Sequence, residues 1–231
     1  MKTKSCITFA VFLLVGINVM AQDGAPKYPL MAPLEQYLIA DRDTEIALAR
    51  SAAPESIAEN AEILILNRDG FVTAVKGTNG FVCLVERSWS AGFDDPDFWN
   101  PTLRAPICFN PAGARSQLPG LIRRTKLVLA GRLKKDIFVA IRAAVEKKEL
   151  PTPEPGAMCY MMSKLGYLSD RDGHWRPHLM FFLPETDPKS WGASLVGSPV
   201  IGFHNATERL TVFLLPVEQW SDGTPASDKG H

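Results

Sequence analysis

The chain has 231 residues, of which 46% are hydrophobic and 22% charged, a balance that suits one globular domain with a sizeable core and fits neither a disordered chain nor a coiled coil. Lys plus Arg number 25 and Asp plus Glu number 25, so no overall field draws the protein to nucleic acid or to an anionic membrane surface. Neither partner is expected.

The first residues read as an address. Lys2 and Lys4 precede an apolar run over residues 7–19, and Val19-Met20-Ala21 offers small or apolar residues for cleavage. Residues 1–21 are therefore expected to be a signal peptide, and residues 22–231 a single secreted or periplasmic domain. The apolar run is short of the roughly 20 residues that span a bilayer, so no membrane association is expected after cleavage.

Export makes the cysteines informative. With Cys6 removed, Cys83, Cys108 and Cys159 remain, an odd number where disulfides form. Cys83–Cys108 is the most local pairing; the alternative is that all three are small buried apolar residues.

Three prolines (Pro26, Pro29, Pro33) punctuate the lead. Leu34, Leu38, Ile46 and Ala49 then fit one helix, or two short ones broken near Asp41. Pro54 marks another helix start. Three β-prone runs follow over residues 61–66, 71–75 and 81–85, separated by Asp69-Gly70 and by Gly77-Thr78-Asn79-Gly80. Such turns predict a three-strand antiparallel meander.

Residues 88–109 change character, alternating Trp89, Phe93, Phe98 and Trp99 with Asp94, Asp95, Asp97 and prolines. The segment reads as a long lid whose aromatics pack over the core, with Trp89 and Trp99 as candidate ligand contacts, since aromatic faces and carboxylates together suit a sugar or a cation. Asn110-Pro111 opens a helix that Gly131 closes, with Leu118, Leu121, Ile122, Thr125 and Leu129 on one face and a kink at Pro119-Gly120. A second helix follows, with Leu133, Ile137, Phe138, Ile141 and Val145 inward, completing an αα-hairpin. Arg123-Arg124 and the neighbouring lysines read as a solvated face.

Past the stiff connector over residues 151–155, strands are expected over residues 157–162, 178–183, 199–204 and 209–217, with a disordered polar tail over residues 221–231. The predicted fold is α+β: an antiparallel sheet, made of the meander plus about four later strands, packed against the αα-hairpin and the N-terminal helices.

Chemistry concentrates in Asp170-Arg171-Asp172-Gly173-His174-Trp175-Arg176-Pro177-His178, immediately before an apolar strand. Three readings apply. His174, His178 and His204 are candidate metal ligands, although Gly173 and Pro177 oppose the helix that would place the first two on one face. Cys159 with His174 or His178, oriented by Asp170 or Asp172, would make a Cys-His hydrolase, although a cysteine in an apolar run is usually inert. The favoured reading is a tight turn whose aspartates bond their own backbone, with Asp170, Asp172, His174, Arg176 and His178 as the ligand-binding candidates. No nucleophile elbow, zinc-protease helix, phosphate-binding glycine loop or Cys-x-x-Cys is present. The functional expectation is a binding or structural module for a small molecule or an envelope protein, the alternative a metal-assisted or Cys-His hydrolase. No cofactor is specified.

Overall fold

The computed structural model describes residues 27–169, 173 and 175–226, so the expected signal peptide, Cys6 and residues 227–231 lie outside the described residues. The fold is α+β, with a mixed eight-stranded sheet and five α-helices among the described residues.

The N-terminal segment is two short elements, as one of the two expected alternatives had it. A 3-10 turn at Leu34–Gln36 precedes α1 (Arg42–Arg50), and Asp41 caps α1 by accepting bonds from Asp43 N at 3.2 Å and Thr44 Oγ1 at 2.6 Å. Helix α2 (Glu55–Ala58) leads into β1 (Glu62–Asn67) and β2 (Gly70–Val75). These two strands form the expected hairpin, tightened by Asn67 Oδ1 accepting from Asp69 N at 2.8 Å, with Gly70 at φ +126°.

The meander ends there. Strand β3 (Val82–Glu86) pairs with the other edge of β1, in parallel, at Glu62 with Val82 and Ile63 with Cys83. Two observations give the reason. Val82, Cys83, Leu84 and Val85 are all buried, so β3 needs neighbours on both sides, whereas the partly exposed β2 suits an edge. The linking segment also crosses beneath the start of β1: Thr78 N donates to Asn60 O and Asn79 Nδ2 to Ile57 O, both at 2.8 Å. Gly77 passes so close that a Cβ there would sit 2.2 Å from Glu62 N.

The expected lid contains an unforeseen strand, β4 (Ala105–Phe109), buried throughout and paired antiparallel to β3. Cys83 and Cys108 face each other across this pair and are joined as a disulfide, leaving Cys159 as a free, buried cysteine. Asn110 Oδ1 caps α3 (Pro111–Ser116) through Gly113 N. The chain breaks at Gln117, rather than merely kinking, before α4 (Leu118–Leu129), whose first turn carries Pro119. Helix α5 (Lys134–Glu146) buries Ile137 and Ile141, but Leu133, expected inward, precedes the helix and is 54% exposed.

Strands β5 (Met158–Met161), β6 (His178–Pro184), β7 (Ile201–Asn205) and β8 (Leu210–Pro216) complete the sheet in the order β2-β1-β3-β4-β5-β6-β8-β7. All pairings from β3 onward are antiparallel; the sheet is mixed because of β1 and β3 alone.

Alternation sorts the core into two faces. Ile63, Cys83, Val85 and Cys108 meet Ala49, Ala52 and Ala53 of the α1 segment. Leu84, Ile107, Phe109, Met161, Phe182 and Val212 point the other way, toward Leu118 and Leu121 of α4. A third cluster joins Trp89, Phe98 and Trp99 to Tyr37, Val128, Ile137 and Ile141. The tail expectation also needs correction: Ser221 N bonds Met162 O, Ala226 N bonds Glu218 O, and Asp222 pairs with Lys164. The Lys164 hydrogen bond, helped by Thr224, holds Asp222 down to about 2. The Asp222-Gly223 turn thus ties the chain down as far as Ala226.

Candidate ligand-binding site

The sheet face that carries Leu84 and Ile107 is not fully covered. A cavity of about 520 Å³ lies between the strands from β3 to β7 on one side and α4 with residues 90–94 on the other, within the ~300–1,000 Å³ range usual for ligand sites. Its sheet wall is apolar: Ile107 and Phe109 from β4, Met180 and Phe182 from β6, Val212 and Leu214 from β8. Leu121 faces them from α4, and half-exposed Phe203 on β7 lies toward the open side.

Polar groups gather at one end. Period-two alternation along β3 puts Glu86 on the same face as Val82 and Leu84, and opposite it in β4 stands Ala105, small enough to leave space above the carboxyl. Among the described residues no side chain or backbone group hydrogen-bonds the Glu86 carboxyl, although it keeps some contact with solvent through the cavity. Burial raises its pKa to about 7; the charge of Arg124 pulls it down and that of Glu208 pushes it up. Ser90 also lines the cavity, and its buried hydroxyl has no partner among the described residues.

Arg124 is the organiser of this end. Its side chain is 5% exposed and its guanidinium stacks over Phe93 at 4.4 Å. Nη1 donates to the carbonyls of Trp89, Ser90 and Ala91 at 3.0, 3.2 and 2.8 Å, and Nη2 donates to Glu208 Oε1 at 2.7 Å. Asn205 fixes Glu208 in turn through its amide, 3.2 Å from Oε2, and by accepting from Glu208 N at 3.1 Å. The expectation of a solvated arginine pair therefore holds for Arg123, which meets Glu149 at 2.8 Å near the surface, and fails for Arg124.

Two residues of the stretch singled out in the sequence, Trp175 and His178, line this cavity. Asp170, Asp172 and His174 lie outside the described residues. On either side of them, Leu168, Trp175 and His178 line the cavity, and Ser169 and Gly173 are joined by a bond from Gly173 N to Ser169 O at 2.8 Å. Trp175 is anchored by Nε1 donating to Ser163 O at 2.9 Å and meets His178 edge-on at 5.8 Å. His178 shares the face of Met180 and Phe182; its Nδ1 lies 2.7 Å from Arg176 O, which can only accept, so Nδ1 carries the proton. Burial lowers the His178 pKa, and the Arg176 bond opposes that. Arg176 itself is exposed.

Of the other described candidates, His204 alone touches the cavity. Trp89 is fully buried, donating Nε1 to Thr125 Oγ1 at 3.1 Å, and Trp99 is 5% exposed against Phe98; neither lines the cavity. Cys159 is buried beneath the cavity wall, and burial, with the nearby Glu86 charge, raises its thiol pKa well above the ordinary value. His204 borders the cavity between Phe203 and Asn205, but its side chain alternates to the sheet face opposite His178 and lies 3.8 Å from Glu185. Among the described residues no three His, Cys, Asp or Glu side chains are grouped to hold a metal ion.

Glu86, Ser90, Arg124 and Glu208 were not singled out in the sequence. A signal existed for Glu86 alone: an acid two places beyond Leu84, at the end of an otherwise apolar strand. No protein-family model, curated protein or solved structure matches the chain.

Proposed function

We propose that the protein is an exported small-molecule binding module whose ligand occupies the cavity between α4 and the sheet. The observation that carries this reading is Glu86, a carboxyl with no hydrogen-bond partner among the described residues, at the polar end of a ligand-sized space whose sheet wall is apolar. A carboxyl that opens into the cavity without a protein partner is placed to accept from the polar head of a ligand. Export is supported by the leader pattern at residues 1–21 and by the Cys83–Cys108 disulfide, which suits an oxidising compartment. Asp170, Asp172 and His174, which fall between Ser169 and Trp175 in the sequence, stay in the proposal as ligand-binding candidates.

Binding is favoured over the hydrolase alternative. A Cys nucleophile needs a lowered pKa, and burial moves Cys159 the other way; a His metal site needs convergent rings, and His178 and His204 diverge.

The test is a thermal-shift screen of chemically diverse small molecules against the wild type and Leu214→Trp, whose indole fills the cavity. Compounds that raise the wild-type Tm and leave the variant's unchanged support the site. A screen without hits, or hits that shift both proteins equally, overturns it.

A further inference from the structure

We infer that the ligand of this cavity is an amphipathic cation, its apolar body lying along the sheet wall and its ammonium-type head meeting Glu86. The inference rests on the small-molecule reading of the cavity and specifies the charge and polarity of its occupant.

The argument is one of charge and valence. Glu86, Asp94 and Glu208 bring three carboxylates to the cavity lining, against which Arg124 sets one guanidinium. Arg124 is largely committed within the protein: Nη1 serves three backbone carbonyls, and Nη2 and the positive charge are met by Glu208. Arg87, next in sequence, turns to the opposite face, where Tyr37 O, Val85 O and Glu45 occupy it. The group left without a partner is the acceptor, Glu86, joined by the unpartnered Ser90 hydroxyl, which also accepts. His178, its pKa lowered by burial, adds no positive charge near neutral pH. Apart from Gln117, His204 and Asn205, the rest of the lining is hydrocarbon and aromatic, Trp175 and Phe182 included, and aromatic rings suit a cation better than an anion. A cationic head therefore meets a carboxylate without a hydrogen-bond partner in a lining where carboxylates outnumber free cations, whereas an anionic head meets repulsion and a neutral alcohol gains only a hydrogen bond.

Three probes of equal chain length separate the possibilities: octylamine, 1-octanol and octanoate, titrated calorimetrically into the purified protein at pH 8. Octylamine is expected to bind at one site, at least ~10-fold tighter than either of the others. Its affinity is expected to rise between pH 5.5 and 8 as Glu86 ionises, since octylamine stays charged throughout. Glu86→Gln, close in shape, should abolish the preference for the amine and the pH dependence while still binding 1-octanol. Octanol or octanoate binding as tightly as the amine would overturn the charge inference and leave the small-molecule reading intact. So would an amine affinity indifferent to pH or to Glu86→Gln. If none of the three binds, or if all bind Leu214→Trp unchanged, the cavity itself is not the site and both readings fall.

Discussion

Glu45 in α1 and Arg87 just past β3, 1% and 0% exposed, form an ion pair 2.8 Å apart inside the protein. Arg87 also donates to Tyr37 O at 2.6 Å and to Val85 O, and Glu45 Oε1 accepts from Leu66 N at 3.1 Å, so the pair ties the N-terminal segment, α1, β1 and β3 together. Removing one partner strands a buried charge. Glu45→Met is expected to cost about 3–5 kcal/mol in denaturant unfolding, whereas Glu45→Met combined with Arg87→Met should cost less than Glu45→Met alone. Additive losses would refute the coupling.

Glu86 makes stability depend on pH. A carboxyl whose pKa rises from 4.5 unfolded to about 7 folded holds its proton more tightly in the native state, so the protein loses stability as pH climbs from 4.5 through 7. His178, lowered by burial, works in the opposite sense and costs stability as pH falls below its ordinary value of 6.5. Because the cavity admits solvent, the Glu86 contribution is put at about 2 kcal/mol. Glu86→Gln should therefore stabilise the protein at pH 8, do little at pH 4.5, and flatten Tm against pH between them. A mutant curve parallel to the wild type's would contradict the raised carboxyl.

The cysteines divide into a bonded pair and a sheltered thiol. Cys83→Ala with Cys108→Ala opens a loop with a sequence separation of 25 residues and should lower stability by about 3 kcal/mol. Cys159 should react slowly with a thiol reagent in the native protein and fully in denaturant, since burial disfavours the thiolate. Rapid native labelling at Cys159 would revive the nucleophile reading.

Gly77 tests the crossing beneath β1. Gly77→Ala drives a Cβ into the Glu62 backbone, where nothing flexible can yield, and should destabilise by about 1–3 kcal/mol. Gly131→Ala, with open space but φ +70°, should cost about 1 kcal/mol from backbone strain. Equal stability of Gly77→Ala and wild type would mean that the crossing is not made as described.

Where local chemistry dictated structure, the sequence was readable. Asp41, Asn110 and the Asp69-Gly70 turn stand where capping and hairpin rules place them, and His178 opens its strand with Met180 and Phe182 on the same face. Where partners were chosen at a distance, it was not. Gly77-Thr78-Asn79-Gly80 has hairpin composition, yet Asn79 bonds Ile57 rather than closing a turn between β2 and β3. Pro106 disguised β4, and aromatic neighbours drew the whole segment into a lid reading. The local density of polar groups before β6 drew attention to His178, which lines the cavity. Glu86 and Arg124 escaped because a lone acid on a strand and one arginine of a pair acquire meaning only when the fold encloses them.

The ladder between β4 and β5 gives the sheet a mechanical grain. Cys108–Tyr160 and Phe109–Cys159 are its paired positions, with Arg104–Tyr167 bridged separately beyond a gap, while β6 and β8 pair over seven. The sheet is thus two ribbons meeting along a short seam, the N-terminal one cross-linked by Cys83–Cys108. The cavity straddles the seam, with Glu86 on one ribbon and His178, Met180 and Leu214 on the other. An occupant touching both acts as a splint, and the amide protons flanking the seam are where its arrival registers as slowed exchange.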